Sequence, residues 1–402
     1  MKKTNLDSWI CEAEGIVELT RSALEALQLR RLNELLAKEK RRGGFYSDLP
    51  ESIASLNGLK SLPFTTSEQL VRFGNGMLLV SQSEVSRIIT DSTSGTTGEA
   101  KRVYYTEGDC GHTVGFFAAG LSELVFAGDT VLIAMPFSGS FGLGELIAAA
   151  IEKLGARPLK TGIGKTFGEL RRTMAEHRPN VFVGMPVPLL SVLRYLGKGS
   201  LRRALISGDA CPKSAVQETE RILGSKLFPH YGSREMGLGG AVTCPAHEGM
   251  HIRENHVIAE IIGTSGQALP DGEFGELCIT TIGMEAQPLI RYKTGDTARI
   301  LKKDCPCGGV TRRLCGVERI YEDSLTSLDD ALFALPCLVD YRASRQGERL
   351  FIDALTDGSP CVKSISAAAK KLYSDYEISA TARECMDSDA PMYLGKRYLA
   401  KG

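Results

Sequence analysis

Residues 91–106 read Asp-Ser-Thr-Ser-Gly-Thr-Thr-Gly-Glu-Ala-Lys-Arg-Val-Tyr-Tyr-Thr. Hydroxyl side chains, glycines and the cation Lys101 suit a phosphate group, because glycine lets backbone N–H groups come close to an anion. The residues on either side, 87–90 and 102–105, favour strands, so the segment predicts a strand–loop–strand hairpin. A phosphate-binding loop and an ordinary surface turn both fit this composition. The candidate phosphate-contacting residues are Ser94, Gly95, Thr96, Thr97 and Gly98.

The bulk composition excludes several classes of protein. The 402 residues are 43% hydrophobic and 24% charged, which is typical of a globular chain with a large core. Lys+Arg and Asp+Glu both number 48, so no global field favours nucleic acid or an anionic membrane. The sequence shows neither an apolar signal core nor a membrane-spanning stretch, so we expect a cytoplasmic protein. The eleven scattered cysteines favour reduced thiols over a disulfide framework.

The predicted secondary structure divides the chain into successive regions. Spaced leucines predict helix over residues 7–42, and helices alternate with short apolar strands from about 110 to 230. That alternation predicts α/β layers around a mostly parallel sheet. From about 240 to 318 strand-like runs and turns, including Gly295-Asp296, predict an antiparallel β sub-domain. Residues 319–402 form a last, small α+β unit. The predicted class is therefore α/β, with a large domain at 1–318 and a short C-terminal domain at 319–402.

Two further segments carry groups that suit a nucleotide. In His-Tyr-Gly-Ser-Arg-Glu (230–235), Tyr231 offers a flat ring to a purine and Glu235 a hard oxygen ligand to Mg²⁺. In Arg-Tyr-Lys-Thr-Gly-Asp (291–296), Asp296 could accept hydrogen bonds from both ribose hydroxyls. Taken singly, each segment also reads as an ordinary turn.

Together these segments resemble the adenylate-forming superfamily of acyl-CoA synthetases, and within it the phenylacetate–CoA ligase branch. Five segments match in order: Leu-Pro-Phe-Thr-Thr (62–66), the phosphate loop (93–101), Ser-Gly-Asp-Ala (207–210), Tyr231–Glu235 and the ribose motif that ends at Asp296. The resemblance implies that ATP and Mg²⁺ activate a small-molecule carboxylate to an acyl-adenylate. Coenzyme A then takes up the acyl group. The resemblance leaves a homodimer open.

The resemblance also implies roles for individual residues. Lys396, in a Gly-Lys context near the C-terminus, is the expected mobile catalytic lysine, and Glu235 and Lys101 are the other expected catalytic residues. Aromatic side chains after the strand at Val131 are expected to suit an aryl or arylacetic acid. The further expected nucleotide-binding residues are Gly208, Asp209, Tyr231, Gly232, Arg234, Asp296 and Arg319, and the expected acyl-pocket residues are Phe137, Phe141 and Gly142.

The chain departs from the family pattern at two places. Arg234 stands where the metal motif usually has threonine, and it could either grip the α-phosphate or spoil the site. The hinge motif, normally Gly-Arg-x-Asp-Asp, aligns with residues 319–323, so its ribose-binding arginine is either Arg319 or missing.

A separate constellation suits a metal. Cys305 and Cys307 form a tight Cys-x-Cys turn, and Cys244 and His251 lie upstream. Three thiolates and one imidazole would close a tetrahedral structural Zn²⁺ site. Some members of the branch carry a similar set, and their Gly-x-His pattern favours His251 over His247. Four reduced residues without a metal remain the alternative.

Two other functions fit the same motifs. The chain could be an adenylyltransferase that stops at the adenylate or passes AMP to a cofactor. It could also be a degenerate nucleotide-binding regulator, which Arg234 and the altered hinge favour, whereas Lys101, Glu235, Asp296 and Lys396 oppose it.

Overall fold

The computed structural model describes residues 4–91, 101–319 and 324–401. The chain divides into two compact units, each built from two separate stretches of sequence. Unit 1 comprises residues 1–123 and 230–318, and unit 2 comprises residues 124–229 and 319–402.

The described residues form ten α-helices and seventeen β-strands. The helices are α1 (Asn5–Glu14), α2 (Arg21–Arg42), α3 (Ser67–Phe73), α4 (Glu107–Leu121), α5 (Leu143–Lys153), α6 (Phe167–His177), α7 (Pro186–Leu196), α8 (Lys213–Leu223), α9 (Thr326–Leu332) and α10 (Val362–Leu372). The strands are β1 (Arg87–Asp91), β2 (Lys101–Tyr105), β3 (Thr130–Ala134), β4 (Arg157–Lys160), β5 (Val181–Gly184), β6 (Arg203–Ile206), β7 (Phe228–Tyr231), β8 (Ala241–Thr243), β9 (Met250–Ile252), β10 (Val257–Ile262), β11 (Gly275–Thr281), β12 (Tyr292–Ile300), β13 (Arg313–Arg319), β14 (Leu338–Gln346), β15 (Arg349–Thr356), β16 (Glu377–Glu384) and β17 (Ala400–Lys401).

The helix predicted over residues 7–42 is two helices. α1 ends at Gly15, whose φ of 63° lies in the left-handed region that glycine adopts without strain. α2 begins after Thr20, whose side chain accepts a hydrogen bond from the N–H of Ala23. The repeat of leucines continues across this break, so periodicity alone predicts one helix. The C-cap Gly15 and the N-cap Thr20 nevertheless end one helix and begin the next.

The strands of unit 1 are antiparallel wherever their pairing is defined. β1 and β2 form the predicted hairpin, with Arg87 opposite Tyr105 and Asp91 opposite Lys101. A larger sheet has the order β10-β11-β12-β13-β9-β8, and the last residues of β7 pair with β8. The predicted strands at 257–262 and 275–281 are confirmed as β10 and β11.

The turn predicted at Gly295-Asp296 is wrong. β12 runs through both residues, and a bulge against β11 shifts the pairing between Glu276 and Cys278. Gly295 has a φ of 72°, so it takes the left-handed conformation that the bulge needs. Asp296 therefore belongs to a strand and is held more rigidly than a loop residue would be.

Unit 2 contains the predicted parallel sheet. β4, β3, β5 and β6 are parallel neighbours, and the first residues of β7 pair with β6. α5, α6, α7 and α8 alternate with these strands along the chain, as the sequence pattern required. The predicted α/β class is confirmed.

The C-terminal region belongs to unit 2. Its strands form a second sheet of order β16-β15-β14-β17. α9, α10 and this sheet enclose an apolar core that also includes Val187 and Leu190 of α7 and Ala215 of α8. The predicted boundary at residue 318/319 coincides with a crossing from unit 1 to unit 2. The division into domains 1–318 and 319–402 stays a prediction.

One pair of cysteines departs from the expectation of reduced thiols. Cys337, which precedes β14, and Cys361, which precedes α10, form a disulfide with a Cα–Cα distance of 6.5 Å. Such a separation permits the bond. The other nine cysteines, all within the described residues, are free thiols.

Helices that could cross a membrane were sought among the described residues. None of them is both long enough and apolar enough.

Candidate functional site

A buried cation and a buried anion meet in unit 1. Lys101, the first residue of β2, donates from Nζ to Oε1 of Glu235 at 2.5 Å, and the Tyr292 hydroxyl donates to the same oxygen at 3.2 Å. Lys101 and Glu235 are 9% and 6% exposed, so neither side chain is a surface group. Residues 134 positions apart in sequence are therefore brought together as the family pattern implies.

The charge on Glu235 is stabilised by this arrangement. Burial alone would raise the pKa of the Glu235 carboxyl, but the charge of Lys101 and hydrogen bonds from its neighbours lower that pKa to about 2. Glu235 is thus a carboxylate at any physiological pH. A buried carboxylate next to an ammonium group offers one ligand to a cation and one donor to a phosphate.

A second contact in unit 1 joins two other predicted residues. The hydroxyl of Tyr231, at the end of β7, donates to Oδ2 of Asp296 at 2.6 Å. Asp296 is 5% exposed and lies on β12 next to the bulge at Gly295. The ring predicted to stack on adenine and the acid predicted to bind ribose are therefore neighbours.

Arg234 lies in the short 3₁₀ turn that carries Glu235. Its carbonyl oxygen accepts a hydrogen bond of 2.5 Å from the hydroxyl of Tyr105, the last residue of β2. Gly237, with a φ of 74°, ends the turn. β2 thus contacts the predicted magnesium-binding segment at both of its ends: Lys101 bonds Glu235, and Tyr105 bonds Arg234.

In unit 2, the segment predicted to contact adenine touches the C-terminal region. Oδ2 of Asp209 accepts a hydrogen bond of 2.9 Å from the backbone N–H of Arg397, the residue that follows Lys396. Gly208 before it has a φ of 87°, which allows the sharp turn after β6. Lys396 is exposed.

The three predicted acyl-pocket residues lie between β3 and α5. Gly142 is the N-cap of α5, and its N–H donates to the carbonyl of Gly139 at 2.9 Å. The ring of Phe137 lies so close to Gly144 that a Cβ there would be 2.7 Å from it. Phe137 and Phe141 are both half-buried.

Two predicted segments lie outside the described residues. Ser94, Gly95, Thr96, Thr97 and Gly98 fall in the gap between β1 and β2, and the hinge residues 320–323 fall after β13. Arg319, the last residue of β13, is described and is half-buried.

The four predicted metal ligands form a compact cluster in unit 1. The ligand atoms of Cys244, His251, Cys305 and Cys307 all lie within 4.8 Å of one another. The sulfur atoms of Cys244 and Cys305 are 3.6 Å apart, and the Cys307 sulfur is 3.3 Å from Nε2 of His251. On the other side of the ring, Nδ1 is 3.1 Å from the carbonyl of Thr311, which orients Nε2 towards the thiols.

Sequence reasoning missed two side chains of these sites. Tyr292 lies inside the Arg-Tyr-Lys-Thr-Gly-Asp motif, which predicts no role for it, and its hydroxyl donates to Glu235. Arg397 directly follows the predicted catalytic lysine Lys396, and its guanidinium is buried among carboxylates. The available signals are the position of Tyr292 inside the predicted ribose motif and that of Arg397 beside the predicted catalytic lysine.

The chain is similar to known AMP-binding enzymes. Residues 89–285 match the family described as AMP-binding enzyme. The chain is 30% identical over 335 residues to phenylacetate-coenzyme A ligase of Aromatoleum evansii, which covers 78% of this chain and 74% of that protein. It is 28% identical over 350 residues to phenylacetate-coenzyme A ligase of Thermus thermophilus, which covers 80% and 78%.

A solved structure has the same fold. The crystal structure of 2-hydroxyisobutyryl-CoA ligase in the postadenylation state superposes with a TM-score of 0.76 at 18% identity. The superposition covers 92% of this chain and 89% of that chain.

Proposed function

Because this chain belongs to the phenylacetate–CoA ligase family of AMP-binding enzymes, we propose that it activates an aryl or arylacetic acid. The chain is an AMP-forming acid–thiol ligase: it uses ATP to convert a carboxylic acid to an acyl-adenylate and then to a coenzyme A thioester. The observation that carries the residue assignment is the buried Lys101–Glu235 pair.

In the first half-reaction, a carboxylate oxygen of the acid attacks the α-phosphorus of ATP. One P–O bond forms, and the P–O bond to pyrophosphate breaks. Negative charge crowds the phosphate oxygens, so catalysis depends on fixed cations and donors. We assign Lys101 to the β/γ-phosphates together with residues 94–98, and Arg234 to the α-phosphate.

Mg²⁺ fits the carboxylate of Glu235, which is buried and ionised. When bound, the ion would neutralise charge on the phosphate oxygens. We assign the ring of Tyr231 to adenine and the carboxylate of Asp296 to the ribose hydroxyls. The Tyr231–Asp296 hydrogen bond fixes these two groups relative to each other.

In the second half-reaction, the thiol sulfur of coenzyme A attacks the carbonyl carbon of the adenylate. A C–S bond forms, the C–O bond to AMP breaks, and the thiol proton is released. We assign Lys396 to the adenylation step, where its ammonium would meet the developing charge at the α-phosphate. Its neighbour Arg397 is anchored to Asp209 of the adenine segment, which supports that placement.

The proposed acid class follows from the predicted acyl pocket. Phe137 and Phe141 belong to the predicted acyl pocket, and two relatives similar to this chain are named phenylacetate-coenzyme A ligase. An aromatic wall favours an aromatic acid, because offset and edge-to-face ring contacts add to burial.

ATP–pyrophosphate exchange with a panel of carboxylic acids tests the proposal, with thioester formation measured in parallel. We expect exchange with aryl and arylacetic acids, and about 10²-fold slower exchange in Lys101→Ala and Lys396→Ala. Exchange with short aliphatic acids alone would overturn the acid class. Unchanged pyrophosphate release in Lys396→Ala, with only thioester formation reduced, would overturn the role of Lys396.

We further propose that Cys244, His251, Cys305 and Cys307 hold a structural Zn²⁺. Three thiolates and one imidazole are the donor set of many closed zinc sites, and the Thr311 carbonyl supplies the expected outer contact to the histidine. Metal analysis of the purified protein should give one zinc per chain, lost in Cys305→Ser/Cys307→Ser. Cys315→Ser, at a nearby cysteine outside the cluster, should keep the metal. Zinc-free protein, or zinc retained in the double variant, would contradict the proposal.

A further inference from the structure

Lys396 lies on a short loop of unit 2 whose two ends are anchored. We call residues 392–397 the lysine loop. Met392 begins the loop and is half-buried, and Arg397 ends it and is buried. Between them, Leu394, Gly395 and Lys396 are exposed one after another. The position of the lysine backbone therefore depends on what holds the two ends of the loop.

One carboxylate, that of Asp340 in β14, binds both ends. Its Oδ2 accepts a hydrogen bond from the Met392 N–H at 2.7 Å, and its Oδ1 accepts from Nη1 of Arg397 at 3.1 Å. Oδ1 also accepts from the N–H of Tyr341 at 2.8 Å, which orients the carboxylate on its own strand. Asp340 is 1% exposed, so these bonds are made in a region that excludes water. The lysine loop is thus closed into a ring through a single buried side chain.

Two further side chains support the same two ends. Arg342, two residues along β14 from Asp340, donates from Nε and Nη2 to the Met392 carbonyl at 3.0 and 2.7 Å. Both polar backbone groups of Met392 are therefore bound by side chains of one strand. At the other end, the guanidinium carbon of Arg397 lies 4.4 Å from the ring centre of Tyr393, so the loop also packs on itself.

A loop that is held in this way limits where the Lys396 ammonium can lie. The lysine side chain is a long, flexible stem, so the place and direction of its backbone decide which positions the charge reaches. A displacement of about 1 Å at a positioning group can slow a reaction by about 10²-fold. A carboxylate that binds the loop on both sides of Lys396 therefore has the means to affect its chemistry without touching the reactants.

We propose that Asp340 is a positioning residue of the adenylation reaction, which directs Lys396 by closing the lysine loop. The inference rests on the role that the proposed function gives to Lys396. The loop and Tyr341 occupy both oxygens of the Asp340 carboxylate. The loss of Asp340 should therefore lower kcat of adenylation and leave the binding of ATP and acid nearly unchanged.

Asp340→Asn tests the proposal with a side chain of the same size. The amide has one acceptor oxygen, so either Met392 or Arg397 would face its NH₂ group instead. Arg397 keeps its ion pair with Asp329, so its charge stays paired. We expect kcat of ATP–pyrophosphate exchange to fall about tenfold, with KM for ATP and for the acid changed less than about twofold. Asp353→Asn, at an exposed acid of β15 in the same sheet, should leave these constants unchanged.

Arg342→Ala tests the loop without a change in the protein interior, because Arg342 is exposed. It releases the Met392 carbonyl and should lower kcat of exchange about threefold. Arg349→Ala is the matched control, since it removes an exposed arginine of the same sheet that binds Glu377 instead of the loop. It should leave kcat unchanged. Urea unfolding shows whether each variant is folded.

Double variants with Lys396→Ala separate positioning from a general structural effect. If Asp340 acts through Lys396, Asp340→Asn should cause little further loss of exchange in the Lys396→Ala protein. An equal loss with and without Lys396 would overturn the proposal, and so would exchange at the parent rate in folded Asp340→Asn. In that second case a slow Lys396→Ala protein would leave the role of Lys396 standing. Exchange at the parent rate in Lys396→Ala would overturn both.

Discussion

Arg397 follows the proposed catalytic residue Lys396 and is held by several contacts. Its Nε donates to Oδ1 of Asp329 at 3.0 Å, its Nη1 to Oδ1 of Asp340 at 3.1 Å, and its Nη2 to the Tyr341 carbonyl at 3.1 Å. Its backbone N–H binds Asp209. Because Lys396 directly precedes Arg397, these contacts hold the backbone next to the exposed lysine in place.

Arg397→Ala should therefore destabilise the protein. It would leave two buried carboxylates without their cation, and breaking a buried pair in this way costs about 3–5 kcal/mol. Urea unfolding measures the loss. Arg349→Ala removes a surface pair with Glu377 in the same unit and should cost less than about 1 kcal/mol. Equal losses in the two variants would show that Arg397 is not an anchor.

Glu254 gives unit 1 a pH-dependent contact. Its carboxylate accepts from Arg21 of α2 at 2.6 Å and from the Arg312 side chain at 2.9 Å. Burial alone would raise the pKa of the Glu254 carboxyl, but these two charges outweigh burial and hold it below the ordinary 4.5. A depressed pKa stabilises the fold above the unfolded value, and that stability is lost as pH falls through the folded value.

We expect Glu254→Gln to lower the free energy of unfolding by about 2 kcal/mol at pH 7. The difference from the parent protein should shrink as pH falls below 4.5, because the parent then loses its own carboxylate. Urea unfolding at a series of pH values measures it. Glu25→Gln, at an exposed acid that binds the same Arg21 at 3.1 Å, should cost only about 0.5 kcal/mol. A pH-independent cost in Glu254→Gln would refute the ionic origin.

Among the elements, the Leu-Pro-Phe-Thr-Thr segment at 62–66 packs against the start of β12 and stabilises it. Thr65 pairs with Tyr292 at the start of β12: its N–H donates to the Arg291 carbonyl at 2.9 Å, and its carbonyl accepts from Lys293 at 3.0 Å. The Arg291 side chain donates to the carbonyls of residues 60 and 62, binds Glu260 and lies 4.2 Å from the Phe64 ring centre. The segment thus fixes the strand that carries Tyr292 and Asp296.

Arg291→Ala should cost about 3–5 kcal/mol in urea unfolding, since it leaves Glu260 unpaired and releases two carbonyls. Arg291→Lys should recover only part of this, because a single ammonium cannot replace the planar fork of donors. Lys293→Ala, two residues along the strand in a surface pair with Glu276, is the matched control and should cost less than about 1 kcal/mol. Full recovery by lysine would show that only the charge matters.

Several strands could be predicted from the sequence alone. The runs at 131–135, 181–185 and 257–262 form strands, as predicted. They are rich in apolar, β-branched residues, which pack well in a buried sheet. Glycine was harder to interpret. Gly15 ends a helix and Gly295 makes a bulge inside a strand, and only the neighbouring strand distinguishes a bulge from a turn.

The site was predictable as a set of residue types, but its contacts were not. The resemblance placed Lys101 and Glu235 in one site, while their direct bond depends on how β2 and residues 234–236 pack. The clustering of Cys244 with Cys305 and Cys307 follows from β8 and β9 and the loop before β13. Sequence spacing does not contain such information.

At the scale of the molecule, the C-terminal region and the helices α7 and α8 share one core. Leu190 of α7 is fully buried with Leu332 and Leu338 of the C-terminal region, and Arg194 of α7 donates to the carbonyls of Phe333 and Leu335. Ser214 of α8 donates from its N–H to Oδ1 of Asp330 at 2.9 Å. A rotation of the C-terminal region between the two half-reactions would therefore have to separate this packed core.

Leu190→Ala should therefore change the balance between the two half-reactions. Removing this side chain should cost about 2–5 kcal/mol of stability and should loosen the contact that such a rotation would have to break. Thioester formation should then speed up relative to pyrophosphate exchange, which stopped-flow and exchange assays measure on the same preparation. Ile151→Ala removes an equally buried side chain of α5 in the same unit and should lower stability without changing that ratio. If both variants leave the ratio unchanged, the C-terminal region does not have to leave α7 for the thiol to react.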